Sequence, residues 1–203
     1  MTKERKHSPR DADFWQAIYD EGDTGWDKGE PAPPLVRAIN ALKLPTDTRI
    51  LVPGCGFGHE VFHLASQGFQ VTAVDFAEGA ISAIRARTGD LPITALLRDL
   101  FSLDQDHTAS FDIVLEHTCF CAIPPEMRDA YAQVTRAVLT DNGRLIGLFY
   151  ETDNDEDGPP HKTTQADIDQ HFSEHFEIVR LERPNDSFEN RQGQEWLTEL
   201  RKR

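Results

Sequence analysis

Cysteine is scarce in this chain, with three in 203 residues, and so odd and sparse a set excludes the disulfide framework of a small secreted domain. Cations are in deficit too: 21 Lys and Arg stand against 35 Asp and Glu, a formal net charge of −14. That balance argues against a nucleic-acid partner, because neutralising phosphates takes clustered Lys and Arg. No apolar run is long enough to span a bilayer, and no apolar segment follows the basic start Lys3-Glu4-Arg5-Lys6 to make a secretory signal. The expectation is a cytoplasmic monomer with no membrane partner.

A metal site is not expected either. Cys119-Phe120-Cys121 places two thiols on one face of an extended segment, but no second Cys or His pair completes a four-ligand set. The acidic run Glu151 to His161 resembles a calcium loop in composition only, lacking the sixth-position glycine and the terminal glutamate spacing.

What is present suits one soluble globular domain: hydrophobic residues make up 38% and charged residues 28%. The expected layout is a flexible tail over residues 1–11 and a single domain over 12–203. Strand and helix signals alternate, as in a doubly wound α/β sheet. Strands are predicted near 48–53, 70–75, 93–98, 111–116, 143–150 and 176–183. Helices are predicted near 12–19, 32–42, 58–66, 77–87, 125–139 and 164–173, with Asp141-Asn142-Gly143 as the stop after the fifth. Periodicity leaves Gln194 to Lys202 open between a closing edge strand and a short helix.

The richest stretch runs from Ile50-Leu51-Val52-Pro53 through Gly54-Cys55-Gly56-Phe57-Gly58-His59-Glu60 to Val71-Thr72-Ala73-Val74-Asp75. It reads as strand, glycine turn, helix and a second strand ending on a carboxylate, the unit by which α/β sheets hold a nucleoside-bearing cofactor. A dinucleotide fingerprint needs Gly-x-Gly-x-x-Gly. Here the position of its third glycine is His59, and Gly-x-Gly-x-Gly is the pattern of Rossmann-like methyltransferases that use S-adenosylmethionine (SAM). Asp75, about 20 residues after the turn, is placed to accept from ribose hydroxyls.

Three further stretches, Thr24-Gly25-Trp26-Asp27-Lys28-Gly29-Glu30-Pro31, Arg98-Asp99-Leu100-Phe101 and Phe111-Asp112-Ile113-Val114-Leu115-Glu116-His117-Thr118-Cys119-Phe120-Cys121-Ala122-Ile123-Pro124, join the glycine turn and Gly158-Pro159-Pro160. Together they resemble the thiopurine methyltransferase superfamily, and more closely its thiol, thiocyanate and halide methyltransferase branch, over nearly the whole chain after residue 12. The resemblance implies a Rossmann-like class I methyltransferase fold, with a seven-stranded, mostly parallel sheet and helices on both faces. It also implies methyl transfer from SAM to a small thiol or other soft anion.

By the same resemblance, aromatic residues gather around the cofactor at Trp15, Tyr19 and Trp26, the middle one departing from the family's usual tryptophan. An aromatic face suits a sulfonium because the ring quadrupole attracts a cation, although Trp15 and Tyr19, four apart, could simply form a helix core face. Gly54 and Gly56 are expected near the methionine part of SAM and Asp75 on its ribose. Asp99 and Leu100 are expected around the adenine, although Asp99 could instead cap a following turn.

Where the branch carries Asp-Tyr this chain has Glu116-His117, both expected at the cofactor. His117 is the candidate catalytic base, since an imidazole can take a thiol proton near neutral pH; the alternative is a histidine satisfying a local backbone group. Phe14, Phe120, Phe149 and Tyr150 are candidate cavity walls or ordinary core, and the loop 151–161 either covers the site or merely connects.

Overall fold

The computed structural model describes residue 8, residues 10–153 and residues 158–203. A seven-stranded sheet is its centre: β1 (Arg49–Pro53), β2 (Gln70–Asp75), β3 (Ile93–Leu97), β4 (Phe111–His117), β5 (Leu139–Tyr150), β6 (Phe176–Glu182) and β7 (Glu195–Lys202). Their order across the sheet is β3-β2-β1-β4-β5-β7-β6, with β7 antiparallel to both neighbours. Helices α1 (Ala12–Glu21), α2 (Pro33–Leu42), α3 (His59–Ser66), α4 (Glu78–Arg85), α5 (Arg128–Val138) and α6 (Gln165–Phe172) fill the intervals.

The apolar run of β1 is buried from Ile50 onward because helices cover both faces of the sheet. One core gathers Leu35, Ile39, Val61, Leu64, Ile81 and Ile84 from α2, α3 and α4 against Ile50, Val52 and Ile113. The other gathers Tyr131, Val134, Ile168 and Phe172 from α5 and α6 against Leu51, Val114 and Phe149. Strand order reverses between β1 and β4, and ligands of open α/β sheets bind outside the carboxyl ends at such a point. Gly54, Asp75 and Thr118 stand at or just past the carboxyl ends of β1, β2 and β4.

Three expectations need correction. The last segment is a strand, but not an edge: it lies between β5 and β6, with Leu197, Thr198 and Leu200 buried. Its interleaved charges hide this, because Glu195 and Glu199 find Arg191 and Arg144 as partners. Asp141-Asn142-Gly143 is not the helix stop, since α5 ends at Val138 and β5 starts at Leu139. There Leu139 pairs with Phe111 before the register shifts to set Arg144 against Ile113. The fifth helix opens with a 3-10 turn over Pro125–Met127.

Most of the expected tail lies outside the described residues. Its last part is tied down, with the Asp11 N–H donating to Ser8 O at 2.8 Å and the Arg10 guanidinium bonded to Glu126. No helix among the described residues is long and apolar enough to cross a membrane.

Candidate active site

A cavity of about 840 Å³ opens at the carboxyl ends of β1, β2 and β4. Gly54 of the glycine turn lines it, while Gly56 lies behind that wall and is not among the lining residues. Gly54 has φ +56°, and a Cβ there would stand 2.8 Å from Cys119 Sγ; the left-handed conformation and the close approach both demand glycine. Gly56, at φ +53°, faces the Tyr19 hydroxyl and the Trp26 indole nitrogen, 3.6 and 3.8 Å from where its Cβ would be.

Asp75 holds this turn from the end of β2. Its Oδ2 accepts from Gly56 N at 3.2 Å and its Oδ1 from Ala77 N at 3.0 Å. The carboxylate is buried at 8% exposure yet lines the cavity. Burial raises its pKa, while the N–H groups of Ala77 and Gly56 pull the other way.

Trp15, Tyr19 and Trp26 come together over the turn. The Trp15 and Trp26 rings meet edge to face at 5.7 Å, as do those of Tyr19 and Trp26, and all three line the cavity. Helix α1 can carry Trp15 and Tyr19 there because Gly79 on α4 has no side chain: a Cβ would lie 2.9 Å from Tyr19 Cβ. The Gly79 N–H donates to Gln16 Oε1 at 2.9 Å, which fixes the two helices together. Burial, then the charge of Asp75, raises the Tyr19 pKa well above its ordinary value, so the group is a phenol.

Asp99 and Leu100 line the same cavity. Asp99 also caps the 3-10 turn after it, with Oδ1 accepting from Phe101 N at 2.9 Å. Of the four candidate wall residues, Phe14 and Tyr150 reach the cavity, while Phe120 and Phe149 pack against each other in the core at 5.2 Å. Gly158, Pro159 and Pro160 line it as well, so the far end of the loop 151–161 borders the site; residues 154–157 lie outside the described residues.

Lys28, Arg191, Cys119 and Cys121, none of them among the expected site residues, also line the cavity. Arg191 stands in the loop before β7, its guanidinium 4.3 Å from the Tyr150 ring centroid and Nη1 3.4 Å from Glu195 Oε1. Only the i, i+4 pairing with Glu195 could have drawn attention to it. Burial, followed by the charge of Arg191, holds the Lys28 pKa below its usual value.

Glu116 and His117 lie elsewhere than expected. Neither lines the cavity, whose wall past β4 is built from Thr118, Cys119 and Cys121. The His117 ring instead meets α3, with Nδ1 2.8 Å from Glu60 Oε1. Burial disfavours its charged form, but the Glu60 carboxylate outweighs burial and the pKa rises above the usual histidine value. For Glu60, burial pushes upward, and the His117 charge and hydrogen bonds from His117 and Ala32 overcome it, leaving the pKa at about 2. The two are therefore a buried pair joining β4 to α3, an ion pair wherever His117 is protonated.

Glu116 points into the core. Its Oε1 accepts from Phe120 N at 2.8 Å and Oε2 finds no partner among the described residues. Burial lifts its pKa to about 7. An acid whose folded pKa is raised contributes its full stability below the unfolded value and loses it as pH rises through the folded one. Wild-type stability should therefore fall between about pH 4.5 and 7, and Glu116→Gln should remove about 3 kcal/mol of that fall. Denaturant titrations across this range measure it, and parallel pH profiles of the two proteins would refute it.

A family model described as thiopurine S-methyltransferase matches residues 10–203. Thiocyanate methyltransferase 1 of Brassica oleracea is 33% identical over 193 residues, covering 93% of this chain and 84% of the relative. Thiopurine S-methyltransferase of Pseudomonas paraeruginosa is 31% identical over 190 residues, covering 85% of this chain and 86% of the relative. Among solved structures, the 1,6-didemethyltoxoflavin-N1-methyltransferase of Burkholderia thailandensis aligns with a TM-score of 0.77 at 21% identity, covering 99% of this chain and 93% of the other. At that identity the likeness is one of fold.

Proposed function

The chain belongs to the thiopurine S-methyltransferase family, and from that premise we propose that it is a SAM-dependent S-methyltransferase acting on a small thiol or hydrosulfide. The observation that carries this reading is that Gly54 of the glycine turn, Asp75 and the aromatic group Trp15, Tyr19 and Trp26 border one cavity. The cavity fits SAM on its own terms. The bare backbone of Gly54 accepts the methionine part, Asp75 keeps acceptor capacity for ribose hydroxyls beyond its two backbone bonds, and the rings present faces to a sulfonium. Asp99 and Leu100 would flank the adenine.

Bound SAM supplies an electrophilic methyl group on a positively charged sulfur. The residues of this chain hold the nucleophile in line with it and keep water out. Phe14, Ile18, Ile123 and Pro159 give apolar walls, and Lys28 and Arg191 give a positive potential that favours the ionised nucleophile. A free thiol with a pKa of roughly 8.5 is already partly ionised near neutrality, so that potential supplies the modest help required. We assign no proton-accepting step to His117, because its ring meets Glu60 rather than the cavity. Burial, followed by the charge of Glu116, raises both wall thiols, Cys121 to about 12 and Cys119 well above its usual value. They stay protonated and do not compete for the methyl group.

The same cations suit thiocyanate or a halide, and a relative named for thiocyanate makes that the second reading. We place the enzyme as a cytoplasmic monomer; three free, buried cysteines suit a reducing compartment. Calorimetry with SAM, S-adenosylhomocysteine and NADH tests the cofactor: binding of the first two and not the third is expected, and NADH binding alone would overturn the reading. A headspace assay for methylated volatiles, with hydrosulfide, methanethiol, thiocyanate and iodide offered in turn, then ranks the nucleophiles. Turnover on the sulfur nucleophiles above the halide is the expected order.

A further inference from the structure

His59 stands where a dinucleotide turn would carry its third glycine, and the structure gives that side chain a partner in the strap of residues 22–32 that carries Trp26. Its Nε2 lies 2.7 Å from Asp27 Oδ1. A carboxylate oxygen accepts, so Nε2 carries the proton and donates it. The same Oδ1 accepts from Gly29 N at 2.9 Å, so one carboxylate fixes both the local turn after Trp26 and its attachment to α3. The next residue does likewise for the far end of the strap: Glu60 Oε1 accepts from Ala32 N at 3.0 Å. Two consecutive residues in the first turn of α3 thus hold both ends of the segment 27–32. The glycine turn leads directly into that helix through Gly58, its N-cap.

We propose that Asp27 and His59 form a latch that positions Trp26 over the glycine turn, so that the floor of the cofactor site and its aromatic roof are held by one helix end. The inference rests on the reading of the cavity as a SAM site. Trp26 Nε1 lies 3.8 Å from where a Gly56 Cβ would be, and its ring meets those of Trp15 and Tyr19, while the Asp27–His59 bond ties the residue after it to α3. The latch is partly exposed, with side-chain exposures of 22% and 27%. Exposed pairs contribute little to global stability. Its consequence is therefore local: ligand affinity should change while the unliganded protein keeps its melting temperature.

Calorimetry with S-adenosylhomocysteine on the full chain tests this. Asp27→Ala and His59→Leu should each weaken binding about tenfold, the equivalent of about 1.4 kcal/mol. The double variant should lose no more than Asp27→Ala alone, because that variant has already removed the bond to His59 along with the one to Gly29 N. Asp27→Asn keeps an acceptor at Oδ1 and removes the charge. Affinity near wild type in this variant supports a latch, whereas a loss equal to that of Asp27→Ala shows that Asp27 acts by its charge and overturns the proposal.

Additive losses in the double variant, or unchanged affinity in both single variants, would overturn it as well. So would a fall in melting temperature that accounts for the lost binding. If the wild-type protein bound no S-adenosylhomocysteine, the reading of the site and the latch would both fall; a tight-binding wild type with indifferent variants removes the latch alone.

Discussion

Asp75→Ala should weaken SAM binding by about a hundredfold or more, since hydrogen bonds to a charged acceptor are worth roughly 1.5–3 kcal/mol each and a ribose offers two hydroxyls. The carboxylate also satisfies the N–H groups of Gly56 and Ala77, and leaving buried donors without partners costs about 1–3 kcal/mol. The variant should therefore also lose stability before any ligand is added. Asp75→Asn separates the effects poorly by design: one of its two positions becomes an NH2 facing an N–H, so it should bind nearly as weakly as alanine.

Because burial raises the Asp75 pKa, acidification should protonate it at a higher pH than an ordinary aspartate. SAM affinity should accordingly fall on the acidic side before most carboxylates titrate. Calorimetric affinities of wild type and both variants over a pH series measure this. An Asp75→Ala protein with wild-type affinity would remove Asp75 from the site.

The largest effect on stability is expected from Glu60→Ala. Removing one member of a buried ion pair leaves the other charge uncompensated, at a cost of about 3–5 kcal/mol. The Ala32 N–H loses its acceptor at the same time. For a chain of this length each kcal/mol moves the melting temperature by about 2–4 °C, so a fall of about 10 °C is expected. The sign of the pH dependence follows from His117, whose folded pKa is raised. Stability from the pair is fully present below the usual histidine value of about 6.5 and is lost as pH rises through the raised one.

The gap between wild type and Glu60→Ala should therefore be widest near pH 5.5 and narrow above it. Glu60→Gln, which keeps an oxygen for Ala32 N and for a ring N–H, should lose less. Thermal melts at two pH values decide the matter, and a pH-independent gap would show that His117 is neutral in the native protein.

The alternation of apolar runs with helix signals placed twelve of the elements to within a few residues, because a central strand of a doubly covered sheet, such as β1, is buried along nearly its whole length. The glycine turn and the carboxylate at Asp75 were legible for a related reason. Positive φ and close approach leave no alternative to glycine, and the strand-turn-helix-strand unit fixes their spacing along the chain. The aromatic group at Trp15, Tyr19 and Trp26 came from resemblance, and its convergence on one cavity depends on Gly79 letting α1 settle onto α4.

Long-range placement was the part no local pattern could carry. Residues 195–202 show strand propensity, but whether the strand is an edge or an insertion between β5 and β6 depends on pairing partners 45 or more positions away along β5. Arg191 reaches the cavity from the loop before that strand, so its place was equally hidden. His117 shows the limit most sharply. Its position at the end of β4 was read correctly, yet the direction of its ring depends on a carboxylate 57 residues away on α3. By itself the sequence determined the backbone conformations and the apolar layers, which are set by neighbours a few residues apart. Only the tertiary structure decided which polar side chains face the cavity and which are spent on one another, because burying a charge requires a partner and the partner is chosen by packing in space.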